Sequence, residues 1–321
     1  MLYAILKIYT RVVIRLFCHS IVADKKQLLQ TRGPLLIAAN HPNSFLDAII
    51  LDVLFDQPIW SLARGDAFKS SFSLKILPYL KMLPVYRIRE GVENLENNYE
   101  TFDACIQLFK SKGVVLIFSE GLCVNEWHLR SLKKGTARLA FKAWDDNIPL
   151  KVLPLGINYS SFSKFGKKVN IHFGDFITKS QFESAITDGE KYTAFNKQLK
   201  ATLQPLVYEI GKNDMASIQA TFGSTSLFQK ILTAPLALAG ALLHAPLYAL
   251  ARIISKLKSI NKDGVHGDSI TFSFLLLSYP LYLLLCSSVA SIWITTPYAL
   301  LIFILLPILA FCAARFDLRK G

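Results

Sequence analysis

Five short apolar runs punctuate the stretch 28–215, each bounded by turn or polar residues. They fall at 34–39, 58–63, 114–118, 151–157 and 168–173, and their length and composition predict β-strands. Longer stretches with helical periodicity lie among them, at 45–55, 95–111, 134–145 and 192–211. Alternation of the two kinds predicts an α/β domain, a mostly parallel sheet covered by helices.

The pattern changes on either side of that domain. Residues 1–27 form a separate N-terminal unit. Lys7, Arg11 and Arg15 recur every four residues and share one helical face, whereas Leu2, Ile5, Leu6, Val12, Val13, Leu16 and Phe17 cover much of the rest. The division predicts an amphipathic helix lying in a headgroup region with its cations outward. Packing against the catalytic domain is the competing placement. Charges interrupt the apolar run and no small-residue cleavage site follows, so the segment does not read as a signal peptide.

After a linker at 216–230, the region 231–321 reads as helical and membrane-embedded. Residues 231–251 carry no formal charge, 252–269 are polar and basic, and 270–314 contain no Asp, Glu, Lys or Arg. The last run is about twice the ~20 residues that one span needs, which predicts a two-span hairpin turning near 287–296. Arg315, Arg319 and Lys320 then mark the cytosolic side. In 231–251, Pro235, Gly240 and Pro246 suggest a re-entrant bend near Gly240, with a true span as the alternative.

Composition sharpens this picture. A hydrophobic content of 52% is too high for an ordinary soluble enzyme, yet the formal net charge is +13. Apolar and basic together point to anionic membrane lipid as a partner. The basic residues are dispersed and no nucleic-acid motif occurs, so a nucleic acid is not an expected partner. Cys18, Cys105, Cys123, Cys286 and Cys312 are odd in number, and no pair has metal-ligand spacing. They read as free thiols of a cytosolic domain.

The first strand runs into Asn40-His41-Pro42-Asn43-Ser44-Phe45-Leu46-Asp47. A histidine just after a strand, with an acid at the following helix start, can make a local base pair. The carboxylate fixes one imidazole tautomer, and the other ring nitrogen takes a proton from a hydroxyl. No GxSxG element is present, which argues against a serine nucleophile of the α/β-hydrolase kind. A helix cap beside a buried histidine is the plainer reading of the same pair.

Three further blocks follow in order: LPVYR at 83–87, FSEG at 118–121 running into LRSLKKGTARLA at 129–140, and LPLGI at 153–157. With NHPNSFLD at 40–47, they resemble the glycerophospholipid acyltransferase family (PlsC-like), which acylates glycerol 3-phosphate or 1-acylglycerol 3-phosphate. The resemblance implies His41 as general base and Asp47 as its partner. It implies Arg87 as the phosphate-binding arginine, Glu120 and Gly121 as acceptor-site residues, and Pro154 as the family proline. Two departures stand out. Five residues, not four, separate His41 from Asp47, and Leu122-Cys123-Val124 stands where the family has Thr-Arg-Ser. Arg130, Lys133 or Lys134 could replace the missing cation. Arg64 is either a further basic site residue or half of a salt bridge.

The function this implies is transfer of a fatty acyl group from acyl-CoA or acyl-carrier protein to a phosphate-bearing glycerolipid acceptor. The enzyme would be integral to the membrane, with its catalytic domain on the cytosolic face. No metal or bound organic cofactor is implied. Acylation of an amino-acid-based lipid is the second enzymatic reading, and an inactive membrane-associated lipid-binding protein is the third.

Overall fold

A computed structural model describes residues 2–68, 70–86, 96–182, 187–223, 227–259 and 265–316. In chain order the elements are α1 (Leu2–Phe17), β1 (Cys18–Ala23), β2 (Leu35–Ala39), α2 (Phe45–Leu54), β3 (Ile59–Arg64), α3 (Ser71–Tyr79) and β4 (Met82–Val85). There follow α4 (Glu96–Lys110), β5 (Val114–Phe118), α5 (Gly135–Asp145), β6 (Lys151–Tyr159), β7 (Lys167–Phe173) and α6 (Asp188–Leu203). The C-terminal elements are α7 (Met215–Phe222), α8 (Leu227–Ser259), α9 (Gly267–Ala290), α10 (Thr296–Ala299) and α11 (Ile302–Arg315).

The seven strands form one sheet in the order β1-β7-β6-β2-β5-β3-β4. Every pair is parallel except β6 with β7. All five residues of the central strand β2 are buried. That explains its unbroken apolar run: a parallel strand covered on both faces has no polar side to show. On one face Leu35, Ile37 and Ala39 meet residues of α1, α2 and α9, including Phe17, Leu46 and Phe272. On the other, Leu36 and Ala38 meet α4, α5 and α6 through residues such as Phe109, Trp144 and Phe195.

The N-terminal unit differs from its expected form in two ways. Residues 18–23 are not part of a separate membrane segment: they form β1, an edge strand paired with β7. Two of the three cations of α1, Lys7 and Arg11, also turn inward, whereas Arg15 is exposed as expected. Lys7 Nζ donates to the carbonyls of Phe55 and Gln57, at 2.8 and 3.3 Å, and Arg11 Nε donates to Val53 O at 2.7 Å. These are carbonyls at and just beyond the last turn of α2, where positive charge is favoured. The outward face of α1 is largely apolar: Ile5, Ile8 and Val12 are exposed beside Arg15.

The segment 231–251 does not bend back at Gly240; α8 runs continuously through Pro235 and Pro246. Side chains supply donors to carbonyls near Pro246: His244 Nδ1 donates to Gly240 O at 2.8 Å, and Tyr282 OH donates to Leu243 O. Neighbouring groups of this kind let apolar helices carry proline. Gly240 serves close packing, because a Cβ there would lie 2.1 Å from Leu309 O of α11. Both ends of α8 return to the sheet domain. Lys168 Nζ donates to the carbonyls of Phe222 and Gly223 just before it, and Arg252 donates to Ser163 O near its end.

Residues 270–314 fold as α9, a turn and α10–α11. The start of α9 and the end of α11 both lie against the sheet domain, the latter where Ala314 meets Gly166. By length and composition α8 and α9 could each cross a bilayer. Their outer faces, with α11, leave Leu277, Leu281, Leu285, Ile304 and Leu305 exposed, and Trp293 in the turn is 84% exposed. Lys262, Arg319 and Lys320 lie outside the described residues.

Candidate active site

β2, β5 and β6 end side by side, and their carboxyl ends carry the candidate site residues. Ligand crevices of parallel sheets typically lie there. His41 follows β2, Glu120 follows β5, and Tyr159 is the last residue of β6. Asn40 stitches two of these strands together. Its side chain donates to Ile157 O and accepts from Ile157 N–H, at 3.1 and 2.8 Å.

His41 Nδ1 lies 2.9 Å from Asp47 Oδ2. Asp47 is 0% exposed and its carboxylate is fully engaged. Oδ2 also accepts the main-chain N–H of Asn43 at 2.9 Å, and Oδ1 accepts the hydroxyl of Tyr159 at 2.7 Å. With only acceptors on Asp47, the proton between the two residues sits on His41 Nδ1. Nε2 is thereby an acceptor, and it has no hydrogen-bond partner among the described residues. Phe118 stacks on the imidazole, with ring centroids 3.8 Å apart and planes 11° apart.

The loop between His41 and Asp47 turns sharply at Ser44. Its φ of 55° and ψ of −144° are strained for a residue with a side chain. Its main-chain N–H donates to Cys123 Sγ at 2.9 Å, and its Oγ lies 2.5 Å from His266 Nδ1. Cys123, at the position where the family has arginine, therefore supports the loop.

Glu120 is buried, and both of its oxygens accept main-chain N–H groups: His41 at 2.8 Å and Arg130 at 2.9 Å. It joins the first and third blocks and leaves no oxygen directed solely at an acceptor. Burial pushes its carboxyl above the usual range, and the two N–H bonds oppose that shift. Tyr159 is raised further, by burial first and then by the Asp47 charge, so its hydroxyl stays a donor. Gly121 has φ +65°, and a Cβ there would come 3.0 Å from Lys133 Cγ.

The remaining expected residues are Lys134, Arg64, Pro154 and Arg87. Lys134 is exposed at the start of α5. Arg64 pairs with Asp66 at 2.5 Å, the salt-bridge alternative. Pro154 is buried inside β6, paired with Ala38 and facing Gly174; it is a framework residue of the sheet. Arg87 lies outside the described residues. No cluster of metal-ligating side chains occurs among the described residues.

Four contributors were not singled out in the sequence: Tyr159, Asn43, Asp268 and Ser269. Asp268 carried the clearest signal, a lone acid heading a long uncharged run.

Residues 20–158, a little under half of the chain, match the family model Acyltransferase. The matched segment contains the whole His41–Asp47–Glu120 arrangement. No protein of curated function matches the chain. Among solved structures, the 1-acyl-sn-glycerophosphate (LPA) acyltransferase PlsC of Thermotoga maritima matches with 17% identity and a TM-score of 0.45. The match covers 69% of this chain and 81% of that one.

Proposed function

We propose that this chain transfers a fatty acyl group from an acyl-CoA or acyl-carrier-protein thioester to a hydroxyl of glycerol 3-phosphate or 1-acylglycerol 3-phosphate. The observation that carries the reading is the His41 Nδ1–Asp47 Oδ2 pair at 2.9 Å, with Nε2 left as an acceptor. His41 Nε2 takes the proton of the acceptor hydroxyl as its oxygen attacks the thioester carbonyl. Asp47 stabilises the imidazolium that forms. The C–S bond then breaks, and the departing thiolate recovers the proton from His41. No acyl-enzyme is required, so Cys123 has no nucleophilic role.

The acceptor assignment is supported by the block resemblance, with Arg87 as the phosphate ligand and the Arg130–Lys134 segment beside Gly121. Residues 122–124 present no cation, and Cys123 is committed to Ser44. That observation favours keeping an amino-acid-based lipid in the acceptor panel.

The enzyme works at a membrane surface with its domain on the cytosolic face. The exposed apolar faces of α1, α9 and α11 support this, because such area is costly in water. α9 and α11 enter the membrane as a hairpin, with α8 packed along both through Leu243–Tyr282 and Gly240–Leu309 and tied to the domain near both of its ends. Incubating the purified chain with either thioester and a panel of acceptors tests the reading. Acylated phosphate-bearing product supports it; thioester hydrolysis alone opposes it.

A further inference from the structure

The first turn of α9 is joined to the catalytic loop by side chains rather than by apolar contact alone. Asp268 Oδ2 accepts the side-chain N–H of Asn43 at 2.7 Å. Ser269 Oγ donates to Asn43 O at 2.9 Å and accepts the Leu46 N–H at 3.1 Å. Lys167, at the head of β7 and 0% exposed, donates to the same oxygen of Asp268. Asn43 thus stands between two carboxylates. Its side chain reaches Asp268, and its main-chain N–H holds Asp47.

We infer that the head of α9 is a positioning device for the His41–Asp47 pair, with Lys167, Asp268 and Ser269 acting through Asn43. The inference rests on the acyltransferase reading for its consequence in turnover, but its geometry stands apart from any substrate. Two physical points favour position over stability as the role of these groups. A buried ion pair contributes little net stability compared with an apolar pair of the same shape. Asn43 is also fully buried with its Oδ1 unpartnered among the described residues, an unfavourable arrangement for a residue that only fills space. Fixing the loop makes sense of both. The main-chain N–H of Asn43 meets Asp47 Oδ2 only while residues 43–46 keep the strained turn at Ser44. An otherwise apolar helix, long enough to cross a bilayer, therefore sets the direction of the catalytic imidazole.

The test uses the full chain in detergent micelles, labelled with 15N-histidine. Replacing Lys167 or Asp268 alone strands a buried charge and threatens folding, so the variants are Asn43→Ala, Ser269→Ala and Ser269→Thr. The downfield proton of His41 Nδ1, assigned by its loss in His41→Ala, reports the bond to Asp47. It should move upfield or vanish in Asn43→Ala and Ser269→Ala, and persist in Ser269→Thr, which keeps the hydroxyl. In the same two alanine variants kcat should fall about tenfold, a part of the ~10²–10⁴ supplied by acid–base catalysis, with KM for the thioester within about twofold. A folded wild type without the resonance, or a resonance unmoved in both alanine variants, overturns the inference. A wild type that transfers no acyl group overturns the functional reading instead, and the resonance still decides the positioning.

Discussion

Tyr159 and Asp47, 112 residues apart in the chain, meet through a 2.7 Å hydrogen bond at the carboxyl end of the sheet. The phenol gives the buried carboxylate a third hydrogen-bond partner, after His41 and Asn43. Tyr159→Phe removes that donor and little else. We expect a loss of about 1–2 kcal/mol in stability and a severalfold lower kcat. Denaturant titration and steady-state kinetics read the two effects. Wild-type turnover in the variant would show that Asp47 needs only His41 and Asn43.

Ser44 offers a separate test of the loop. Its positive φ costs on the order of 1–3 kcal/mol for a side-chain-bearing residue. Glycine relieves that strain but forgoes the His266 contact, so Ser44→Gly should melt close to the wild type. Ser44→Val adds a β-branched side chain at the same φ and should lower both Tm and activity. Equal melting of the two variants would contradict the strained geometry.

Glu120 predicts a pH signature. Its folded-state carboxyl lies above its ordinary value, chiefly through burial, so the folded protein binds the proton more tightly than the unfolded chain does. Stability therefore falls as pH rises from the ordinary carboxylate range through the folded value, and the full cost is present above it. Glu120→Gln removes this slope. At neutral pH it also sets an NH2 group against one of two main-chain donors, costing about 1–3 kcal/mol. Denaturation of both proteins across mildly acidic to neutral pH checks the sign. A Gln variant with the wild-type slope would contradict it.

None of the five cysteines is joined in a disulfide. Burial pushes the thiols of Cys18 and Cys105 to about 12, which leaves them almost entirely protonated and inert. Alkylation of the native protein should spare both, with Cys123 modified ahead of them. Mass spectrometry of labelled peptides gives the order, and early labelling of Cys105 would contradict the buried α4 packing.

The membrane arrangement is tested by single cysteines in a background without the native five. Lys164→Cys, on the sheet domain, and Lys256→Cys, at the end of α8, should both resist an impermeant reagent in intact cells. Ser291→Cys, in the turn beyond α9, should label from outside. Labelling of Lys256→Cys from outside would place a crossing in α8 and leave the chemistry of His41 untouched.

Much of the sheet was legible because parallel strands buried on both faces read as uninterrupted apolar runs, as in β2 and β5. β1 was not. Cys18–Ala23 mixes polar and apolar residues at a sheet edge, and its pairing comes from β7, distant in sequence. α8 was misread for a different reason. Proline and glycine signal a bend, whereas side-chain donors and close packing on α11 keep the helix continuous through them. The inward turn of Lys7 and Arg11 was equally hidden, since periodicity places charges on one face without saying what that face meets. In the site, the local pair His41–Asp47 could be read from spacing and family order. Tyr159 and Asp268 could not, because their partners lie more than a hundred residues away.

The most direct test of the central claim is product formation by the purified chain and its His41→Ala variant in mixed micelles, followed by mass spectrometry. Both thioester donors are supplied with glycerol 3-phosphate, 1-acylglycerol 3-phosphate and an amino-acid-based lipid. The wild type should acylate a phosphate-bearing glycerol acceptor, and loss of the general base should lower kcat by ~10²–10⁴ in a variant that remains folded. Turnover by His41→Ala near the wild-type rate, or transfer confined to the amino-acid-based lipid, would contradict the account.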